Sequence, residues 1–482
     1  MSVQSPDVTV VGSGPNGLAA AYVAATHGLS VRVVEQSDRL GGGLRSEEVV
    51  EPGFSSDVCA AVHPLAVASP FFAATGLLDD VELVTPEISY AQTLHRGRAA
   101  VAYHDVGRTA DALGRDGATW RRIFDPLVAD VEALTRFTLG APLGMGLPGR
   151  PHVQFGLRAL ATARLTGPTV FRGIDAPGLL SGLHGHTMGD AGTLAGSFVG
   201  LTLGVHAHAG GWPIPVGGSG AIAAAMIARL QDLGVELVTG HRVRSLAETA
   251  GSRAVLLDVA PQALPALAGG RLSPRAARPY QRFLSGSGAA KLDLTLDGPV
   301  PWTDERLAGA GTVHLGGRAA ELVSAERAAA RGLPSRSPFM LVAQPSTFDP
   351  TRAPEGKHVL WCYAHVPRGD TRDISERMID AIELHAPGFR DLVRGGVFRP
   401  AAQLEDHNPN MIGGDIGTGG TGLRQLFARP RFSPAPWVTP LQGTYLCSAG
   451  TSPGPGVHGM AGWHAARHAL RREFGITVGE LH

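Results

Sequence analysis

Short apolar runs and glycine-rich turns alternate through the first fifty residues. The run from Val8 to Val11 predicts a buried strand, the alanine-rich segment from Leu18 to Thr26 predicts a helix, and the run from Val31 to Val34 predicts a second strand. A strand, a helix and a second strand of this length are typical of a βαβ unit with parallel strands. The pattern therefore predicts an α/β fold built on a parallel sheet.

Three glycines punctuate the turn between the first strand and the helix. Gly12 permits a tight turn, Gly14 lets the backbone approach a pyrophosphate, and Gly17 allows close packing of helix on strand. The helix N-terminus adds free N–H groups and a positive dipole end. The turn thus predicts a dinucleotide site, whose other members are Ser13, Pro15 and Asn16.

The residues after the second strand narrow the choice of cofactor. Glu35, followed by Gln36, lies where a carboxylate accepts hydrogen bonds from a ribose and repels a 2′-phosphate. The motif that follows, with Gly42, Gly43 and Arg45, is similar to the loop that wraps the FAD pyrophosphate in flavoproteins. FAD is therefore the expected cofactor.

Composition excludes several classes of function. The 482 residues are 44% hydrophobic, and 42 acidic residues balance 42 basic ones, which argues against nucleic-acid partners. Cys59, Cys362 and Cys447 form no C-x-x-C pair, which excludes flavin disulfide reductases and a cysteine-based zinc site. No other spacing suggests a metal. The first strand comes too soon after Met1 for a signal peptide, so a cytoplasmic location is expected.

Further along the chain, two inserts interrupt the predicted cofactor units. Apolar spacing predicts a helix from Trp120 to Thr138. The apolar run from Ala191 to Val205 has glycine at every fourth position, which suits either a buried packed helix or a wall of a substrate cavity. We expect a discontinuous FAD-binding domain (1–70, 206–290 and 400–482) and an α+β substrate domain (71–205 and 291–399).

Two distant motifs indicate a family. The segment 210–220 opens a predicted helix from Ala221 to Leu233, and the segment from Gly450 to Met460 opens another from Ala461 to Leu470. Together they resemble the phytoene desaturase-like FAD oxidoreductases, relatives of the monoamine oxidases. The short connection after Val243 resembles the branch that contains pyridine nucleotide-disulfide oxidoreductase domain-containing protein 2 and its bacterial relatives.

This resemblance implies positions for parts of the cofactor. It implies a Rossmann-like FAD-binding domain in which Val243 meets the adenine. It also implies that the last helix, with Gly450, Val457, His458 and Met460 at its start, faces the pyrimidine end of the flavin. A helix N-terminus there stabilises the negative charge of the reduced ring.

Lys291 is the leading candidate for chemistry. The chain has two lysines, Lys291 and Lys357, and Lys291 lies on an alternating strand similar to the amine-oxidase strand whose lysine holds a water beside flavin N5. Among the histidines, His63, His407 and His458 are candidate proton acceptors, because they fall near the expected flavin segments.

The predicted function is a desaturase or dehydrogenase that transfers hydride from a largely apolar substrate to flavin N5. The electron acceptor stays open between oxygen, a quinone and a nicotinamide. One alternative is a flavin amine oxidase, with Trp361 or Tyr363 in an aromatic pair; another is a non-catalytic lipid-binding protein like the GDP-dissociation inhibitors. A peripheral membrane contact, through the basic and apolar segment 150–172, and a homodimer are left open.

Overall fold

The computed structural model describes residues 5–95, 97–140, 149–166 and 170–481. The strands in chain order are β1 (Val8–Val11), β2 (Val31–Val34), β3 (Ser46–Glu47), β4 (Ser56–Asp57), β5 (Leu83–Val84), β6 (Ile88–His95), β7 (Arg98–Tyr103), β8 (Ile214–Pro215), β9 (Glu236–Val238), β10 (Ala254–Leu257), β11 (Gly288–Leu296), β12 (Ala310–Leu315), β13 (Met340–Ala343), β14 (His358–Val366), β15 (Val393–Arg399) and β16 (Thr444–Leu446).

The helices in chain order are α1 (Pro15–Thr26), α2 (Pro64–Val67), α3 (Pro70–Thr75), α4 (Val106–Ala112), α5 (Gly117–Ala129), α6 (Val131–Thr138), α7 (Arg150–Thr162), α8 (Asp175–Gly185), α9 (Leu194–Ala209), α10 (Gly220–Asp232), α11 (Leu264–Leu267), α12 (Pro274–Gln281), α13 (Ala319–Ala330), α14 (Ser375–Glu383), α15 (Phe389–Leu392), α16 (Ala401–His407), α17 (Leu423–Phe427) and α18 (Met460–Ala469).

A five-stranded sheet in the order β16-β10-β1-β2-β9 is parallel throughout. Its central strands are short apolar runs that are buried along their length, as expected of a sheet covered on both faces. Helices α1, α10 and α18 share one apolar cluster with one face, and residues around α11 and α12 cover the other. This sheet is the predicted Rossmann-like part of the fold.

Helix α1 packs so closely on α18 that their backbones meet. A Cβ at Gly462, on α18, would stand 2.0 Å from the backbone oxygen of Asn16. The N-terminus of α1 itself is set by Gly14 as N-cap and Pro15 in the first turn, where a missing N–H costs nothing. The start of α1 is therefore fixed from two sides.

A second, seven-stranded sheet has the order β15-β11-β14-β13-β12-β6-β7. Its pairs are antiparallel except for β12 with β6. One face carries leucines and valines that pack on α14, whereas the other, which we call the inner face, turns toward α8 and α9. The α/β class with a second domain is confirmed, while the residue boundaries of the two domains stay predictions.

Two predicted segments differ in detail. The helix expected from Trp120 to Thr138 is two helices, α5 and α6, because Asp130 at their junction leaves the helical backbone region. The glycine-rich run became helix α9, which starts at Leu194 with Thr193 as a side-chain cap and reaches Ala209.

Helix α7 presents apolar side chains to solvent. Phe155 and Ala159 are buried, but Val153, Leu157 and Leu160 are each more than half exposed. This is the segment for which the sequence left a membrane contact open. Within the described ranges, we find no helix whose length and apolar character would let it cross a bilayer.

The contact between α1 and α18 gives a stability prediction. Gly462→Ala adds a methyl group where the backbone of α1 already stands, so we expect a loss of about 2 kcal/mol or more, read as a lower urea midpoint. The matched control is Gly156→Ala on α7, where the added Cβ meets nothing within 4 Å. This variant should gain up to about 1 kcal/mol in unfolding free energy, because alanine favours a helix more than glycine does. Equal midpoints for the two variants would contradict the packing described.

Candidate active site

One cavity of about 820 Å³ extends from the carboxyl ends of β1 and β2 to the inner face of the seven-stranded sheet. We call it the central cavity. Its nucleotide end is lined by the two glycine loops and by the residues that follow β2 and β10. Ligands of open parallel sheets bind at this edge, outside the carboxyl ends of the strands.

The first glycine loop leaves no room for side chains. Gly12 has a φ of +97°, and a Cβ there would lie 2.7 Å from the carbonyl oxygen of Asp258. A Cβ at Gly14 would lie 2.6 Å from Asp258 Oδ2, and one at Gly17 would lie 2.2 Å from the oxygen of Gly12. All three positions therefore require glycine, which brings bare backbone to the cavity wall at Gly12 and Gly14.

Glu35 is held rigidly at the end of β2. Its Oε2 accepts hydrogen bonds from the backbone N–H of Ser13 at 2.9 Å and from the Ser13 hydroxyl at 2.7 Å. Its Oε1 accepts from the N–H of Ser37 at 2.9 Å. A carboxylate oxygen has capacity for further hydrogen bonds, so Oε1 stays available to a ribose hydroxyl.

The second glycine loop lies against the first. Gly41 and Gly42 have φ of +109° and +56°, and a Cβ at Gly42 would stand 2.8 Å from the Cα of Gly14. Arg45 follows, and its guanidinium donates to Ser37 Oγ at 3.0 Å and contacts His407 Nε2 at 2.7 Å. The structure thus places the Arg45 guanidinium, which lies 3.5 Å from Glu47 Oε1, on the cavity wall beside two bare backbone loops.

Asp258 is a site residue that sequence reasoning missed. It follows β10, and its Oδ2 accepts a hydrogen bond from the N–H of Gly17 at 3.0 Å. Burial raises the pKa of this carboxyl to about 7; the Gly17 N–H opposes the shift and the charge of Glu35 adds to it. In the sequence, Asp258 could have been noticed as an acidic residue that directly follows the apolar run Ala254–Leu257. The structure shows that this run pairs with β1, which brings Asp258 to the glycine loop.

His63 is a neutral histidine with a defined tautomer. The Ser219 hydroxyl donates its single proton to the backbone oxygen of Ala60, so His63 Nε2, 2.7 Å from Ser219 Oγ, must be the donor in that contact. His63 Nδ1 is then a bare acceptor, with no partner among the described residues. Burial lowers the pKa of His63 to about 4.

His458 has a structural role that the sequence did not suggest. Its Nδ1 accepts the N–H of Met460 at 3.1 Å, and its Nε2 lies 3.2 Å from the oxygen of Gly454. Both ring nitrogens are therefore occupied, and burial lowers the pKa of the ring to about 4. His458 thus holds the first N–H of helix α18, whose N-cap is Gly459, and it has no free ring nitrogen with which to accept a proton.

Lys291 lies behind the cavity wall. It is 4% exposed, its ammonium forms an ion pair with Asp293 on the same strand, and Arg399 lies 3.5 Å from the other oxygen of Asp293. Its Nζ is 5.9 Å from the ring centroid of Trp361, which does line the cavity. A positive charge is thus buried beneath an aromatic wall.

Most of the predicted cofactor-binding residues, together with the candidate proton acceptor His63, line this one cavity. Those that line it are Gly12, Ser13, Gly14, Pro15, Asn16, Glu35, Gln36, Gly42, Gly43, Arg45, His63, Val243, Val457 and His458. Gly17, Gly450 and Met460 are not lining residues. A Cβ at Gly450 would lie 2.3 Å from Pro261 Cδ, so that glycine permits close packing.

The other end of the central cavity is an apolar space, which we call the chamber. Phe198, Val199 and Leu203 from α9 face Leu341 and Trp361 of the inner face. The glycines of α9 serve packing, since a Cβ at Gly200 would stand 2.3 Å from the ring of His184. Helix α9 is therefore both a packed helix, on the side of its glycines, and a wall of the central cavity, on the side of Phe198 and Leu203.

Trp361 and Tyr363 are each a candidate member of an aromatic pair, and they do not form such a pair with each other. Trp361 and Tyr363 both line the chamber, but their centroids are 5.1 Å apart and their planes meet at 80°. This is an edge-to-face contact of the two rings with each other. These two side chains cannot hold an amine between them.

Fold and cavity together define a two-domain α/β protein with a Rossmann-type nucleotide end and an apolar chamber. The family model of an NAD(P)-binding Rossmann-like domain matches residues 10–74. The rat pyridine nucleotide-disulfide oxidoreductase domain-containing protein 2 is 26% identical over 566 residues, which cover 96% of this chain and 93% of the relative.

Two further proteins are similar to this chain. One of the subunits of limonene dehydrogenase from Castellaniella defragrans is 26% identical over 172 residues, covering 34% of this chain and 31% of the relative. A variant of putrescine oxidase has a similar solved structure, with a TM-score of 0.62, 18% identity and coverage of 97% and 99%. The predicted homology and the oxidoreductase fold are confirmed by these matches.

The raised pKa of Asp258 predicts a pH-dependent stability. Its folded pKa of about 7 exceeds the unfolded value of about 3.9, so the folded state holds the proton more tightly between these values. The contribution is therefore present at low pH and is lost as pH rises through 7. Relative to Asp258→Asn, the unfolding free energy of the wild type should fall by up to about 4 kcal/mol from pH 4 to 8.

Urea unfolding of both proteins at pH 4, 6 and 8 measures this difference. Stability curves that run parallel across this range would show that Asp258 titrates as an ordinary surface carboxylate.

Proposed function

We propose that this protein is an FAD-dependent oxidoreductase of the dehydrogenase or desaturase type, acting on a largely apolar substrate. The observation that carries the proposal is the continuity of the central cavity. It joins a phosphate-compatible backbone cradle to a chamber of apolar side chains. A cofactor bound at one end and a substrate bound at the other would therefore be in direct contact inside the protein.

The nucleotide end fits the adenosine and diphosphate part of FAD. Bare backbone at Gly12, Gly14 and Gly42 permits close approach of phosphates, and the N-terminus of α1 and the Arg45 guanidinium favour negative charge. Glu35 supplies a carboxylate for the ribose. Bound there, FAD supplies hydride acceptance at its ring.

Asp258 is compatible with a diphosphate because of its environment. An ionised carboxylate beneath the α1 N-terminus would repel phosphates, but the raised pKa keeps a substantial fraction protonated near neutral pH. A neutral acid can still accept the hydrogen bond from Gly17. The same residue thus braces the loop and limits the negative charge there.

Two features supply positive potential elsewhere on the wall. The segment that leads into α18 lines the cavity at Val457 and His458, so the positive end of that helix lies close behind the wall, and Lys291 carries a buried ammonium, paired with Asp293, near Trp361. Both would stabilise negative charge that develops on an electron-accepting ring. His63, a neutral residue, lines the same wall, with its Nδ1, unpartnered among the described residues, buried behind the surface.

The lining of the chamber favours an apolar substrate and disfavours an amine. Among the described residues that line the central cavity, the carboxylates are Glu35 and Asp258, and both belong to the nucleotide end. An alkylammonium group in the chamber would lack a counter-ion, and burying an unpaired charge is costly. The limonene dehydrogenase relative is named for a hydrocarbon substrate, in keeping with this choice.

The first prediction from this proposal concerns flavin content. The wild-type protein should bind FAD with the absorption bands of an oxidised flavin. Gly14→Val should lose at least about a hundredfold in FAD affinity, because its side chain meets Asp258 and fills the space of the diphosphate. Gly156→Ala serves as the control that keeps its flavin. A colourless wild type that takes up no FAD would refute the proposal.

The second prediction concerns the two lysines. Lys291→Met should slow reoxidation of the reduced protein by oxygen at least about tenfold, because a buried positive charge near the chamber is removed. Lys357→Met is the matched control, since that lysine pairs with Asp297 at the surface. Stopped-flow absorbance after anaerobic reduction gives the rates.

Lys291→Met also removes one of the two cationic partners of the buried Asp293 carboxylate, which can destabilise the fold, so the thermal stability of the variant must be measured as well. The double variant Lys291→Met/Asp293→Asn removes the carboxylate charge too, and it should reoxidise as slowly as the single variant. Normal reoxidation in both would mean that Lys291 has no role in the reaction.

A further inference from the structure

A line of side chains crosses the inner face of the seven-stranded sheet. Gln92, His314, Leu341, Tyr363 and Lys291 lie opposite one another on five strands, from β6 through β12, β13 and β14 to β11. Neighbouring strands are about 4.8 Å apart, so this polar row spans the sheet beneath the chamber. Apolar Leu341 separates its two polar ends.

His186 covers the His314 end of the polar row. Its Nε2 lies 3.2 Å from His314 Nε2, and its ring contacts Trp212 at 5.6 Å between centroids. His186 is partly exposed and lines the central cavity, whereas His314 is fully buried. His186 Nδ1 makes no hydrogen bond with a described residue.

The contact between the two histidines sets the proton positions. His314 Nδ1 is buried and has no partner among the described residues. A buried N–H without a partner costs more than a buried bare acceptor, so the proton of His314 belongs on Nε2, where it donates to His186 Nε2. His186 must then carry its own proton on Nδ1. It presents a hydrogen-bond donor to the cavity.

This donor is uncharged. Burial and the neighbouring His365 lower the pKa of His186 to about 3. Tyr363 adds a phenol whose pKa is raised by burial, so it stays protonated.

These observations describe an apolar space with neutral hydrogen-bonding groups on one wall. A pure hydrocarbon would leave those groups unpaired, and an ammonium, which has no acceptor, could not satisfy a donor. Resting on the proposed function, we propose that the substrate is an apolar molecule carrying an uncharged hydroxyl or carbonyl oxygen, and that His186 Nδ1–H holds that oxygen. His186 is a specificity-determining residue in this assignment.

Three probes with one carbon skeleton test the assignment: limonene, perillyl alcohol and perillylamine. Their dissociation constants are measured on the FAD-loaded protein by quenching of tryptophan fluorescence, since Trp212 and Trp361 line the cavity. His186→Phe removes the donor and keeps a ring, and His186→Asn keeps an N–H near the position of Nδ1. His358→Phe is the control, since His358 bonds Ser346 and does not line the cavity.

We expect His186→Phe to raise the dissociation constant of perillyl alcohol about fivefold to tenfold, because one hydrogen bond is lost. The dissociation constant of limonene should stay within about twofold of the wild-type value. His186→Asn should recover most of the alcohol affinity, and His358→Phe should match the wild type. The wild type should bind perillylamine at least about tenfold more weakly than the alcohol.

Equal losses for alcohol and hydrocarbon in His186→Phe would overturn the assignment, as would an amine that binds as tightly as the alcohol. A wild type that does not bind perillyl alcohol would overturn it too. Failure of the proposed function looks different, because the protein would then take up no FAD before any probe is added.

Discussion

The approach of four backbone segments around the start of α1 is the constraint on which the rest of the structure depends. Gly12, Gly14, Gly42 and Gly462 each stand where an added Cβ would lie within 2.8 Å of a neighbouring atom. The loop after β1, the chain after β10, the second glycine loop and helix α18 can meet only because these positions carry no side chain. The bare cradle for phosphates and the tight packing of the domain are consequences of the same contacts.

A buried ion pair connects β4, which follows the second glycine loop, to the turn between β13 and β14. Asp57 and Arg352 are both fully buried, with Nη2 2.8 Å from Oδ2, and Asp57 also accepts from the N–H of Ser219 and the hydroxyl of Ser46. Burial alone would raise the pKa of Asp57, but the charge and hydrogen bond of Arg352 outweigh it, and the pKa is lowered. Removal of either partner would leave a buried charge without compensation. Ser219 in turn sets the tautomer of His63, so this pair also orients a group on the cavity wall.

Local residues predicted much of the nucleotide end. Glycine spacing, the alanine-rich helix and Glu35 are adjacent in sequence, and each of their roles follows from backbone geometry within about thirty residues. Asp258 and the polar row could not be found in this way. Asp258 meets Gly17 across 241 positions, and the row joins five strands whose register no single segment encodes. His458 shows a related limit: it lines the cavity, but its two hydrogen bonds, to Gly454 and to the N–H of Met460, could not be foreseen from its neighbours in sequence.

Charge is distributed unequally along the central cavity, and this limits what each end can bind. Arg45, Glu35 and Asp258 lie at the nucleotide end, where phosphates and ribose offer charged and polar partners. At the chamber, burial keeps His186 and Tyr363 neutral, and the ammonium of Lys291 is separated from the cavity by Trp361. A cationic substrate would therefore lose hydration in the chamber without gaining a counter-ion. The burial that favours apolar molecules therefore also disfavours cationic ones. The position of a few uncharged hydrogen-bond donors is then enough to distinguish one apolar molecule from another.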